Sequence, residues 1–325
     1  MEEKTIDYDA IAQIGTVDVI IPTYHPDEKL ESLIKRLHKQ TIKPRHIYIM
    51  NTEENFFKNK EVNHYEDITV HHISKYEFDH GGTRNRAASQ SDADFLLFMT
   101  QDAVPKNKHL IEQLLLPMKD DEIGVSYARQ LGDKQANYLE YYTRTFNYPP
   151  ESRKKTKEDL ATLGIKTFFC SNVCALYRRS TYEQMGGFVL HAIFNEDMMM
   201  AASMIEAGYA VYYAADAKVI HWHDYTGMQQ LKRNFDLAVS QEMAGGLLKE
   251  IKSEKEGVRL VVKTAGHMLK RGKIGLMFRS IWLNGCKFIG YRLGKNYRHL
   301  SRGMIRKLTM SPSFWTGYWD RLMQL

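Results

Sequence analysis

The sequence predicts an α/β fold, an open and mainly parallel sheet flanked by helices, followed by a helical region at the C-terminal end. Three observations predict it. Short apolar or β-branched runs alternate with helical spacing up to about residue 226. Polar residues suited to chemistry fall where those runs end, and beyond Thr226 the pattern turns helical and stays so.

Taken in order, "VDVIIPTY" (17–24) reads as a buried strand closed by a proline. "DEKLESLIKRLHKQ" (27–40) puts Leu30, Leu33, Ile34 and Leu37 on one helix face. "RHIYIMN" (45–51) and "DITVHHIS" (67–74) are two further strands, and "GGTRNRAASQS" (81–91) opens a helix. "ADFLLFMTQDA" (93–103) is a strand running into a polar loop. The stretch 131–165 is polar, aromatic and charged, broken at Pro149–Pro150, and reads as a helix followed by a mobile loop over the site. "NVCALYRRSTYEQMGGF" (172–188) gives a strand, a helix and a glycine turn. "NEDMMMAASMIEAGYAVYYA" (195–214) gives a helix with an acidic start and then a strand, and "AKVIHWHDY" (217–225) a further extended segment. In such sheets ligands bind beyond the carboxyl ends of the strands, which is where Thr23, Asn51, Asp79 and Asp102 fall.

The bulk numbers narrow the class. Of 325 residues, 43% are hydrophobic and 26% charged, an ordinary globular balance that argues against disorder or a fibrous repeat. The start, "MEEKTIDYDA", is too polar for a signal peptide, and no apolar run reaches the roughly 18 residues of a membrane span. Three cysteines, an odd number without metal-finger spacing, fit a reduced, cytoplasmic protein. The net charge of +6 hides an asymmetry: Gly257 to Trp319 holds thirteen Lys and Arg and no Asp or Glu, so the rest of the chain is net acidic.

Several short stretches could carry chemistry, and each has a plainer reading beside it. Asp102 in "MTQDA" follows a strand and could hold Mg2+ or Mn2+, or could be a turn aspartate. His221 and His223 in "HWHD" share one face of an extended segment and could join Asp102 around that metal, or simply occupy a sheet edge. Asn195 can cap a helix while Glu196 and Asp197 enjoy its positive end; the aspartate could also serve as a general base. The glycine pair and Arg84 in "DHGGTRN" suit a phosphate at a helix start, though the stretch is neither a P-loop nor a dinucleotide fingerprint.

The order of these stretches is more telling than any one of them. "IPTY", a strand-end aspartate, a "GGF" turn, an "ED" helix start and a His-bearing extended segment resemble the family 2 glycosyltransferases of the GT-A fold. "FDHGGTRN", "MTQDA", "CSNVCALYRRSTYEQMGGF", "NEDMMMAASMIEAGY" and "VIHWHDYT" are similar to the bacterial rhamnosyltransferase branch, over about residues 16 to 226. The resemblance implies an inverting, metal-dependent transfer of a sugar, L-rhamnose from dTDP-L-rhamnose, to a hydroxyl of a lipid-linked or cell-surface polysaccharide acceptor. It implies that Pro22, Thr23 and Tyr24 line the nucleoside pocket, with Asn51 or Glu53 near the base, and that Asp79, Arg84 and Asn85 border the nucleotide and phosphates. Asp102 would bind the metal with Gln101 beside it and His221 or His223 completing the set. Asp197 would deprotonate the acceptor, with Glu196 orienting it. Where many relatives carry two or three carboxylates in the metal motif this chain has Asp102 alone, and "MNTEE" lacks their aspartate after the second strand. The alternatives are the same chemistry with a UDP-sugar, and a nucleotide-sugar-binding protein without catalysis.

Residues 1–226 are therefore expected to form the catalytic domain and 227–325 a basic helical region. Its helices, apolar stretches interrupted by Lys or Arg, suit an anionic membrane surface at the inner face of a bacterial cell membrane. No nucleic-acid module is recognisable, so nucleic acid is not expected as partner. A homo-oligomer contact and a packed subdomain with a solvated basic face are the other readings.

Overall fold

Alternating burial on both faces makes strand β1 (Val17–Tyr24) central: Val19 and Ile21 enter one hydrophobic core and Ile20 another. That is the period-two pattern of a strand covered on both sides. The computed structural model describes residues 8–58, 61–132, 137–245 and 254–323; the first seven residues of the acidic start and 133–136 of the aromatic, charged stretch lie outside them.

The remaining strands are β2 (His46–Thr52), β3 (Ile68–Ile73), β4 (Phe95–Met99), β5 (Val104–Pro105), β6 (Ile123–Leu131), β7 (Arg153–Lys155), β8 (Cys174–Arg178) and β9 (Ala210–Ile220). They form one sheet in the order β3-β2-β1-β4-β8-β6-β9-β5, with β7 pairing β9. β1 to β4 in that order run parallel, as do β6 and β9, while β8 lies antiparallel between the two halves.

Helices α1 (Tyr8–Ala12), α2 (Glu28–Leu37), α3 (His80–Ala88), α4 (Leu110–Leu115), α5 (Tyr138–Asn147), α6 (Leu160–Leu163), α7 (Arg179–Gln184) and α8 (Glu196–Glu206) accompany the sheet. α2 buries the four residues its spacing singles out, and the Asp27 side chain caps it by accepting from the Lys29 N–H at 3.0 Å. α2 and α4 cover one face; α3, α7 and α8 cover the other.

Two segments differ from the sequence reading. The expected mobile loop after α5 contains β7, which pairs antiparallel with β9, and Lys155 turns inward to donate to the carbonyls of Phe169 and Lys166. An inward lysine gave the segment the look of a solvated loop. The two extended segments 210–214 and 217–225 are largely one strand, β9, whose ladder skips: Ala128 pairs with Ala214 but Arg129 with Lys218. The bulge makes one strand look like two.

The C-terminal helices are α9 (Gly227–Ala244), α10 (Glu254–Lys270), α11 (Ile274–Lys295), α12 (Arg302–Leu308) and α13 (Pro312–Met323). α9 starts at a capping box of Thr226 and Gln229. It crosses α11 closely enough that a Cβ on Gly290 would lie 2.1 Å from the Leu231 carbonyl oxygen, and one on Gly294 2.3 Å from that of Phe235. A third core joins Phe235, Val239, Tyr297, Ile305, Trp315 and Trp319 to Ile193 ahead of α8, so apolar packing links these helices to the sheet domain. Among the described residues no helix is long and apolar enough to cross a membrane.

Candidate active site

A two-residue pairing brings the first site residues together. β5 lies against the end of β9, with Val104 opposite Ile220, and so holds the turn bearing Asp102 beside His221. The Nε2 atoms of His221 and His223 each stand 3.5 Å from Asp102 Oδ2, and one ligand atom from each of the three residues lies within 4.8 Å of the others. Gln130 Oε1 lies 3.0 Å from His221 Nδ1 and accepts from Arg144, whose Nη1 is itself 3.2 Å from that Nδ1. These contacts hold the ring with Nε2 turned toward Asp102. Burial, then the Arg144 charge, pushes His221 well below its ordinary range; burial lowers His223 as well, against the pull of Asp102. Two neutral imidazoles and one carboxylate form a donor set that fits a divalent cation.

Around this cluster stand cations that the sequence reading did not single out. Lys29, Arg144 and Arg233 all act electrostatically on both histidines. Arg233 comes from α9, its guanidinium 4.6 Å from the centre of the Phe194 ring and 5.7 Å from that of Tyr225. Phe194 stands two residues before Glu196 and Tyr225 two residues after His223, so these ring contacts bring α9 against both segments.

The acidic pair opens α8. Asn195 precedes it at φ 64, in the left-handed region that asparagine tolerates better than most residues. The expected side-chain cap is absent: Asn195 makes no capping bond, and its buried Nδ2 has no partner. Glu196 is buried, with Oε1 3.2 Å from Arg84 Nη1 and 3.3 Å from Asn172 Nδ2. Burial alone would raise Glu196, but Arg84 and His80 outweigh it and hold the carboxyl below its usual range. Asp197 is only half-buried; it accepts from the Asn172 N–H at 2.9 Å and the Met198 N–H at 2.8 Å. Burial first and the neighbouring Glu196 charge second push it up to about 7. Two adjacent carboxyls thus have separated proton affinities.

At the ends of β1 and β2 the Thr23 hydroxyl donates to Asn51 Oδ1 at 3.0 Å, and Asn51 Nδ2 donates to the Glu53 carbonyl and to His72 Nδ1. Gln101 spans the backbone of Tyr24, accepting from its N–H at 2.8 Å and donating to its carbonyl at 3.0 Å. It joins the ends of β1 and β4 and so acts next to Asp102 through the backbone. Pro22 is half-buried and Tyr24 exposed, its ring edge-on to His25 and Phe56. Glu53, at φ 65, uses Oε1 to accept from the Lys75 N–H.

The glycine-bearing start of α3 differs from the expected open phosphate cradle. The Asp79 carboxylate accepts from the Gly82 N–H at 2.6 Å and the His191 N–H at 2.9 Å. A Cβ on Gly81 would meet the Val189 carbonyl oxygen at 2.2 Å, and Asn85 is bonded to both the N–H and the carbonyl of Phe188. The anion at this helix start is the protein's own carboxylate, and the glycines admit the 186–191 turn. Asp79, Arg84 and Asn85 thereby fasten that turn and the acidic pair to α3.

With this geometry in view, the comparisons with known proteins agree. Residues 18–186 match the model of glycosyl transferase family 2. The chain is 38% identical over 301 residues to the O-antigen chain rhamnosyltransferase WbaN of Salmonella anatum, covering 91% of this chain and 95% of that one. It is 36% identical over 301 residues to the O-antigen chain rhamnosyltransferase RfbN of Salmonella typhimurium, covering 92% and 96%. Among solved structures, the mannosyltransferase PcManGT of Pyrobaculum calidifontis, in complex with GDP-Man and Mn2+, superimposes with a TM-score of 0.59 at 12% identity. The match covers 90% of this chain and 94% of that one, and it shows a shared GT-A-like fold.

Proposed function

The chain belongs to glycosyl transferase family 2, and we propose that it moves L-rhamnose from dTDP-L-rhamnose, with inversion, to a hydroxyl of a growing polysaccharide or its lipid-linked precursor. The observation that carries this reading is the Asp102/His221/His223 cluster, with Arg233 packed on Tyr225 beside it and on Phe194 beside the Glu196/Asp197 pair. One end can receive a diphosphate and the other a proton. The Salmonella relatives, both named O-antigen chain rhamnosyltransferases, support the donor sugar and the acceptor class.

In the proposed step Asp197 takes the proton of the acceptor hydroxyl as that oxygen bonds to the anomeric carbon. The bond from that carbon to the diphosphate oxygen breaks in the same displacement, which inverts the centre. A carboxyl with affinity near 7 suits this task, since about half of it is ionised at neutral pH and the ionised form is basic enough to draw the proton. Glu196, held charged by Arg84, raises that basicity and keeps α8 in place. Charge growing on the departing nucleoside diphosphate faces Arg233, Arg144 and Lys29. Asp102, His221 and His223 would hold a divalent metal, which when bound would supply Lewis-acid neutralisation of the same charge. The mixed imidazole and carboxylate set favours manganese over magnesium, which prefers oxygen ligands.

For the donor, Pro22, Thr23, Tyr24, Asn51 and Glu53 frame the nucleoside end. Gln101, Asp79, Arg84 and Asn85 shape the wall behind the phosphates through the bonds described above. Residues 1–226 act as the catalytic domain, completed by Arg233 of the helical region. The setting proposed is the inner face of the bacterial cell membrane.

Calorimetric titration with dTDP-rhamnose, UDP-glucose and UDP-galactose, with and without manganese, tests the reading. Metal-dependent preference for dTDP-rhamnose is expected, and Asp102→Ala should weaken it. Preference for a UDP-sugar would overturn the donor, and binding of none by folded protein would overturn the function.

A further inference from the structure

α11 is apolar on two opposite sides, and only one of them is covered. The inner side carries the small residues Ser280, Cys286, Gly290 and Gly294, of which the two glycines meet the backbone of α9. The outer side carries Ile274, Phe278, Ile281, Trp282, Phe288 and Ile289, all exposed, with Trp282 at 67% and Phe278 at 63%. Their spacing is that of one helix face, a stripe about 22 Å long at 1.5 Å per residue. Exposed apolar side chains scattered singly need no explanation, but a continuous stripe of six does. The turn into α11 adds Lys270, Arg271 and Lys273, all exposed, and Val262 and Leu269 are exposed on α10 just before it. No acidic residue occurs from Gly257 to Trp319 to offset these charges.

We infer that this stripe seats the enzyme on an anionic lipid bilayer, with α11 lying in the interface plane and Lys270, Arg271 and Lys273 of the turn before it on the headgroups. Charge decides among the candidate occupants. A symmetric dimer through the stripe would set one copy's basic turn near the other's or, with the helices antiparallel, near the Arg292 and Lys295 end, whereas an anionic surface is complementary to it. Nucleic acid would satisfy the cations but leave six apolar side chains without a hydrophobic partner. The same helix reaches the active site from its other side: Arg279, turned away from the stripe, pairs with Asp224 at 2.8 Å, one residue after His223. An acceptor whose lipid stays in the bilayer would then offer its saccharide close to the donor. This deepens the acceptor reading above and rests on it for its purpose, while its test is independent of catalysis.

The test uses the full chain and vesicles of phosphatidylcholine alone or with phosphatidylglycerol, at several salt concentrations. Binding at least about tenfold tighter to the anionic vesicles is expected, weakening as salt rises. A blue shift of Trp282 emission should accompany it and be lost in Trp282→Phe. Phe278→Ser combined with Ile281→Ser and Ile289→Ser should reduce vesicle binding at least about tenfold. Donor titration heat should be unchanged in that variant, which separates this inference from the donor reading. Equal binding by wild type and variant would overturn it. So would a concentration-dependent dimer, seen by light scattering and abolished by the same variant, with no vesicle binding. Binding to duplex DNA under conditions where anionic vesicles are not bound would overturn it as well.

Discussion

Asp197 offers the most direct test at the level of single residues. With its affinity near 7, transfer should rise with pH through that value and then level off. Asp197→Asn should lower turnover by roughly 10²–10⁴-fold while donor binding is kept; near-normal turnover in a steady-state assay would remove the base role. Stability carries a second signature. Between the ordinary carboxylate value of about 4 and 7, the folded chain holds a proton that the unfolded chain has released. Stability from this group therefore falls as pH rises across that window, and thermal melts of Asp197→Asn should lose that part of the slope. Gln130 is proposed as a positioning residue: Gln130→Ala should weaken manganese binding by about 10–100-fold, with unchanged circular dichroism, because the His221 ring loses a polar contact that holds it.

At the level of elements, local pattern was enough where an element's neighbours are close in sequence, and failed where they are distant. α2 was legible down to its four buried leucine and isoleucine positions, since period alone fixes its face. The ends of β1, β2 and β4 could be read as site-forming because strand polarity is set by the alternation of helices and strands. The "HWHD" segment and Asp102 were legible as residues, but their approach depends on the two-residue β5–β9 pairing, which no periodicity announces. The start of α3 looked like an anion cradle because its partner, the 186–191 turn, arrives a hundred residues later. Arg233 sat unnoticed in a helix whose interior face only tertiary packing defines. The α9–α11 crossing was equally hidden, and it has a clear cost of disturbance. Gly290→Val would drive a side chain into the Leu231 carbonyl and should destabilise the protein by about 1–3 kcal/mol or more, read as a lowered melting temperature.

For the whole molecule, the boundary near residue 226 marks a change of pattern but not a point of independence. Ile193 and Phe194 pack into the helical core, and Asp236 ties α9 to the link between α12 and α13 by accepting from Thr309 at 2.6 Å and Met310 at 2.8 Å. A chain ending at 226 should be poorly soluble and bind donor weakly. Arg233→Ala in the full chain separates the two causes: fold retained, turnover down by about 10²–10³-fold. The same feature bears on ancestry. Arg233 lies beyond residue 186, where the match to the family model ends, yet the two Salmonella relatives match over 91–92% of this chain, so the recognisable unit of descent takes in the helical tail. If Arg233 has the proposed role, chimeras that graft one relative's tail onto another's head exchange a part of the reaction centre, and should follow the tail donor's rate along with its shape.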